Sequence, residues 1–437
     1  MTWTAALLLL TLSLMAFFAV GLPVAIAFFG VNLVGAWLFL GGDAGLAQML
    51  RNSAGAVNSF ALAPIPLFVM MGEVLFHTGV AYRAIDAVER LLNRLPGRLA
   101  AVSIVGGTAF AALSGSSIAN TALLGGTLST DMLRRGYSPT LAFGPAMAVG
   151  GIAVLIPPSA LAVMLGSLSG ISISKLLIGG ITPGMMMAAA FLVFIFIYSG
   201  IFPSAAPRDR GSSMTWRERI WPFVRDVVPL SFIFVAVIGS MLAGLATPTE
   251  SAALGAIAST VATIFYRSLT WTSLKKSLLE TAKVSVSILF IIVASTTFSQ
   301  ILTFSGATEG MLKAVTGMQL SPAALVIMML LVLLVLGCLI DQVSMMMITL
   351  PFFIPLAQAA NIDMVWLGLM MLVAIEIGLL TPPFGILLMV MQGVAPPGIK
   401  LYDIYRAAVP FILIELAVLG VMFSWPDLIL MLPRLLD

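Results

Sequence analysis

Long stretches without a single charged side chain constrain this chain more than any other feature. Met1 to Gly42 has none, and uncharged runs recur at Gly136 to Ser174, Leu176 to Pro207, Val284 to Thr308 and Ala314 to Ile340. A helix needs roughly 20 apolar residues to cross the hydrocarbon of a bilayer, so each run is long enough. A water-soluble core does not call for 60% hydrophobic and only 9% charged residues in a chain of 437, and the membrane is therefore the solvent. The opening run carries no Lys or Arg and continues well beyond the short apolar core of a secretory signal. It is expected to span the membrane and to be retained. One cysteine, Cys338, and one histidine, His77, exclude a disulfide framework and a Cys/His metal cage. They also leave little from which to build an intramembrane enzyme.

The net charge of +3 calls for no nucleic acid, provided the basic residues gather on the cytoplasmic face. A threading with both termini periplasmic, and with two segments that dip into the membrane and return, collects them there. Its cytoplasmic stretches are Arg83 to Arg98, Asp131 to Arg135, Arg208 to Asp226, Arg267 to Lys283 and Lys400 to Arg406. Only Arg51, Lys175, Lys313 and Arg434 remain on the other side. The same threading gives two halves of opposite orientation, residues 1–203 and 227–437, joined by a basic linker at 204–226. Matched breaks support it: Ile156-Pro157-Pro158-Ser159 answers Thr381-Pro382-Pro383-Phe384 at an offset of 225 residues, which also carries Ser116 onto Asp341 and Lys175 onto Lys400. Helix interruptions at corresponding places in two halves are the pattern of inverted-repeat transporters. The expected fold is an all-α polytopic membrane protein. Re-entrant helical hairpins are expected near 99–130 and 321–360, and broken helices near 139–169 and 364–394. Ala81 to Leu95 and Thr270 to Lys283 read as amphipathic arm or interface segments in the lipid bilayer.

Polar and helix-breaking residues at membrane depth mark where a solute or ion is handled, because irregular backbone is tolerated there only inside protein or beside a cavity. Ser114-Gly115-Ser116-Ser117-Ile118-Ala119-Asn120-Thr121 lies between two basic stretches and reads as the tip of a hairpin. Its hydroxyls, amide oxygen and loosened carbonyls are hard oxygen ligands for an alkali cation. Paired prolines at Pro157-Pro158, after Gly150-Gly151, remove two backbone donors and break a crossing helix. The freed carbonyls suit a cation, and the new helix start beyond Ser159 offers N–H groups to an anion. Asp341, before Gln342-Val343-Ser344, is costly in the membrane unless partnered. Sodium is one partner for it and a proton relay is another. Thr381-Pro382-Pro383 faces it if the halves are equivalent.

Candidates for cation binding are Ser116, Ser117, Asn120, Gly151, Pro157, Asp341, Thr381 and Pro382. Candidates for solute contact are Ser114, Thr121, Ser159, Ser344 and Pro383. Glu73 and His77 are spaced to pair on one helix face, Glu250 to cap a helix, and Glu376 and Glu415 have no assigned role. No Arg or Lys lies plainly at membrane depth, so helix ends, hydroxyls and a bound cation are expected to hold an anionic solute.

Several motifs in order now carry a resemblance. Gly115-Ser116-Ser117, Arg134-Arg135-Gly136-Tyr137-Ser138-Pro139, Ile156-Pro157-Pro158-Ser159, Ile173 to Gly184, Ala246-Thr247-Pro248-Thr249-Glu250, Gly378 to Pro383, Trp425-Pro426-Asp427-Leu428 and Leu432-Pro433-Arg434-Leu435 together resemble the large permease subunit of TRAP transporters, the DctM-like family. The resemblance implies an elevator-type, sodium-coupled importer of carboxylates such as C4-dicarboxylates or sialic acids in a bacterial inner membrane. It also implies a small four-helix membrane subunit and a periplasmic substrate-binding protein, neither expected within this chain. Gln342-Val343-Ser344 departs from the Thr and Pro that members often carry there. A stand-alone cation-coupled carboxylate symporter is the alternative; a channel fits matched helix breaks less well.

Overall fold

The computed structural model describes residues 2–92, 97–207 and 214–436, with Ala19, Ala112, Leu113 and Ser114 described by their backbone only. Among these residues the regular structure is helical, without a strand. The first half runs through α1 (Trp3–Ala19), α2 (Val24–Phe39), α3 (Asp43–Val57), α4 (Pro64–His77) and the amphipathic α5 (Val80–Leu91). It continues through α6 (Arg98–Ser114), α7 (Ser117–Leu124), α8 (Thr130–Arg134), α9 (Pro139–Leu155), α10 (Ala160–Ser169), α11 (Ile173–Gly179) and α12 (Ile181–Ile201). The linker holds α13 (Trp216–Asp226), and the second half holds α14 (Val228–Leu242), α15 (Pro248–Phe265), α16 (Trp271–Phe304), α17 (Ala307–Gly317) and α18 (Pro322–Gly337). After these come α19 (Gln342–Ala359), α20 (Met364–Leu380), α21 (Ile386–Val394), α22 (Leu401–Ser424) and α23 (Pro426–Leu430).

Among the described residues, six helical segments are long and apolar enough to cross a membrane, or seven if α9 and α10, bent by 43° at their break, count as one span. The chain is a multi-pass α-helical membrane protein. Its helices sort by what surrounds them. From Leu141 to Leu155 in α9, and from Leu367 to Leu380 in α20, every residue is buried. Apolar on all sides, both belong in the interior. They pack on each other and on α22, with α6 and α7 against α9 and α18 against α20. An outer group, α2, α4, α15 and α16, packs mainly among itself and turns side chains such as Phe265, Ile257 and Val286 outward. The amphipathic α5 buries Val80, Ala84, Ile85 and Val88 against α6 and α13.

Two local results add to the sequence reading. Trp271 to Lys283, capped by Thr270, is the first part of α16, a single helix of 34 residues. Part of the 204–226 linker is itself helical, because Thr215 and Glu218 form a capping box at the start of α13. Of Ala206 to Ser213, which the sequence marks as the most linker-like stretch, residues 208–213 lie outside the described residues.

Candidate functional site

Each half contains a helix pair whose interruption meets a broken helix. In the first half α6 ends on Gly115, whose φ of +58° suits a residue without Cβ. A Cβ there would stand 2.6 Å from the Pro158 carbonyl oxygen, so the tip lies directly on the proline break. Ser116 then caps α7, its Oγ accepting from the Ala119 N–H at 3.3 Å. Ser117 is buried and its Oγ stands 3.0 Å from both the Gly150 carbonyl and Glu376 Oε1. Asn120 donates to the Gly107 carbonyl at 3.3 Å, while its Oδ1 and the Thr121 Oγ1 are buried without a hydrogen-bond partner. Gly151 lies on α9 between Glu415 and Glu376, and the Pro157–Pro158 peptide bond is cis.

In the second half Asp341 is the N-cap of α19 and accepts a hydrogen bond from the buried Ser344 hydroxyl. Four residues earlier, a Cβ on Gly337 would stand 2.4 Å from the Gly378 Cα, so α18 and α20 touch backbone to backbone just before Thr381. Thr381 ends α20 with its hydroxyl donating to its own helix, at the Ile377 carbonyl, 2.6 Å away. The Pro382–Pro383 bond is also cis, and the Pro383 carbonyl accepts from the Tyr405 hydroxyl.

Between the two interruptions and the outer helices α4 and α16 lies a cavity of about 600 Å³. Ser116, Asp341 and Gln342 reach it from the helix breaks, and Glu73, Lys283 and Ser287 from α4 and α16. Apolar groups such as Phe68, Met164 and Ile291 complete the wall. The solute candidates Thr121, Ser159, Ser344 and Pro383 do not line this cavity. Ser159 is fully buried and its hydroxyl caps α10 by accepting from Ala162 N–H at 3.1 Å. Thr121 is buried against α9, Ser344 is committed to Asp341, and Pro383 to Tyr405. The Ser114 side chain lies outside the described residues.

Lys283 is a basic residue on the wall of this cavity that the sequence reading did not place there. It follows the charged turns of α16, about 18 Å along the axis from Trp271 at 1.5 Å per residue. Because that helix does not break, the cation is carried to the cavity wall, where its Nζ also pairs with Glu280 at 2.8 Å. The sequence signal was the continuity of Thr270 to Thr308 without a Gly or Pro until Gly306. Glu73 and His77 do pair, at 3.1 Å, and Thr247 and Glu250 form a capping box on α15.

Comparison with known proteins agrees with this architecture. Residues 11–428 match the model of the family described as tripartite ATP-independent periplasmic transporter, DctM component. The chain is 34% identical over 419 residues to the 2,3-diketo-L-gulonate TRAP transporter large permease protein YiaN of Escherichia coli strain K12, covering 94% of this chain and 95% of that one. It is 32% identical over 380 residues to the C4-dicarboxylate TRAP transporter large permease protein DctM of Pseudomonas aeruginosa, covering 86% of each. Among solved structures, the Alcanivorax borkumensis YdaH transporter matches with a TM-score of 0.59 at 16% identity, over 92% of this chain and 96% of that one. Neisseria gonorrhoeae MtrF matches with 0.57 at 15% identity, over 92% and 95%; at such identities only the fold is shared. Matched along nearly its whole length by the family model and by full-length relatives, the chain belongs to the DctM family of TRAP transporter large permease subunits.

Proposed function

We propose that this chain is the membrane subunit that moves small carboxylates inward, coupled to sodium, after a periplasmic binding protein delivers them. The observation that carries the reading is the cavity where both helix interruptions meet α4 and α16, with Lys283 on its wall. A solute carboxylate there has a cation to face, the Ser116 and Ser287 hydroxyls and the Gln342 amide to bond, and apolar wall for its carbon chain. C4-dicarboxylates, sugar acids such as the diketogulonate of the E. coli relative's name, and sialic acids belong to this class.

The residues fit sodium by donor chemistry. Near the first break, Asn120 Oδ1 is a buried oxygen without a partner, with Ser116 at the hairpin tip and the Gly151 to Pro157 backbone at the facing break. Near the second, Asp341 supplies a carboxylate, with Thr381 and Pro382 at the adjoining break. Bound sodium would supply the charge that makes an anion acceptable beside Asp341. The division of packing into an outer group and an interior group supports elevator movement of the interior helices, and the matched breaks support inverted repeats. The small four-helix subunit would cover lipid-facing parts of the outer group, and the inner membrane is the expected location.

Reconstitution tests this directly. Uptake of labelled C4-dicarboxylates, diketogulonate and sialic acid into proteoliposomes, with the small subunit present, should require both a sodium gradient and the binding protein. Uptake by this chain alone would favour a stand-alone symporter, and uptake driven by a proton gradient would overturn the sodium assignment.

A further inference from the structure

Glu376 and Glu415 stand out because burial of two carboxyl groups side by side is costly without a partner. Each is 1% exposed, Glu376 on α20 and Glu415 on α22. They flank the same point on α9: a Cβ on Gly151 would stand 3.0 Å from Glu415 Oε1 and 3.8 Å from Glu376 Cβ. One oxygen of each, Oε2, has no hydrogen-bond partner. Among the described residues the donor that reaches them is Ser117, whose single hydroxyl hydrogen faces both Glu376 Oε1 and the Gly150 carbonyl at 3.0 Å. It can serve one of them. Thr121 lies one turn along α7 on the same face, fully buried, its Oγ1 without a partner and 3.5 Å from the place a Gly150 Cβ would occupy.

The cluster is therefore rich in oxygen acceptors and poor in donors, enclosed at the meeting of α7, α9, α20 and α22. We propose that Glu376, Glu415, Ser117, Thr121 and the Gly150 carbonyl form a third, buried site for a small monovalent cation. Neither of the sites proposed at the helix breaks includes the two glutamates. Oxygen ligands without nitrogen or sulfur suit a hard ion. One singly charged ion and one hydrogen kept on the carboxyl pair leave the cluster electrically neutral. The site ties the first-half hairpin to two second-half helices, so that an ion here holds the interior group together.

The test needs no solute and no binding protein, so it stands or falls apart from the import reading. The purified full chain in lipid nanodiscs is titrated with ²²Na⁺ and bound ions are counted per chain. Glu376→Gln with Glu415→Gln should bind one ion fewer, while Asp341→Asn should lose a different ion, so that the triple variant loses both. An unchanged ion count in a folded double variant overturns the proposal and makes the pair a hydrogen-bonded acid pair. If the double variant does not fold, Thr121→Val serves, since it removes one hydroxyl at constant shape. It should raise the half-saturating sodium concentration of one ion about tenfold; no change overturns the site. Displacement of that ion by micromolar Ca²⁺ or Mg²⁺ would overturn its monovalent character.

Discussion

The two proline breaks share backbone design and differ in chemistry. At the first, the hairpin tip brings hydroxyls and an amide, Ser116, Ser117, Asn120 and Thr121, and no charge of its own. At the second, the tip brings a carboxylate, Asp341, open to the cavity and braced by Ser344. Behind the first tip, Ser117 hydrogen-bonds Glu376 of the other half. Equivalent position along the chain thus fixes where the backbone is interrupted, while side chains decide how each interruption handles charge.

The largest effect that probes this comparison is steric. Gly337→Val would drive a side chain into the Gly378 backbone, which cannot move aside as a flexible side chain would. It should cost about 3 kcal/mol in thermal unfolding of the solubilised protein, with Gly115→Ala costing less. Near-wild-type stability of Gly337→Val would mean that the second interruption is looser than the first. Next comes charge. Asp341→Asn should lower sodium-driven uptake roughly a hundredfold, against roughly tenfold for Ser117→Ala, because a charged acceptor is the costlier one to lose. Equal losses would remove the chemical asymmetry between the breaks.

Lys283 sharpens the comparison from the outer helices. Lys283→Gln should raise the solute concentration for half-maximal uptake about tenfold, and Lys283→Arg much less, in concentration series at fixed sodium. No change would show that the second-half tip and hydroxyls suffice. The smallest effect is at Ser159, which caps α10, whereas α21 begins at Gly385 with no side-chain cap. Ser159→Ala should cost about 1 kcal/mol of stability and leave solute affinity unchanged. A loss of affinity would return Ser159 to the solute site.

The breaks were legible because a double proline has one physical effect wherever it stands: Pro157-Pro158 and Pro382-Pro383 had to interrupt their helices. Capping at Glu250 and pairing of Glu73 with His77 were legible from local spacing. The glutamate cluster was not. Glu376 and Glu415 come from separate helices and meet over Gly151, more than two hundred residues earlier, a long-range contact that no local pattern encodes. Lys283 was missed for the opposite reason: charge suggested a surface segment, while an unbroken helix carried it to the cavity. Ser159 illustrates a third case, in which the right residue at the break has its hydroxyl committed to its own helix.

The unbroken α16 also acts as a gauge of bilayer thickness. From Val284 to Phe304 it is free of charge, and 21 residues rise about 31 Å, close to the roughly 30 Å of hydrocarbon they must match. A bilayer of that thickness would put Lys283 at the boundary between headgroups and acyl chains and so set the height of one wall of the cavity. Lipids with longer acyl chains would force the helix upright or draw the lysine inward, and shorter ones would tilt it. The depth at which a solute meets its cation is in this way set partly by the surrounding lipid, and transport in bilayers of graded chain length should pass through a maximum.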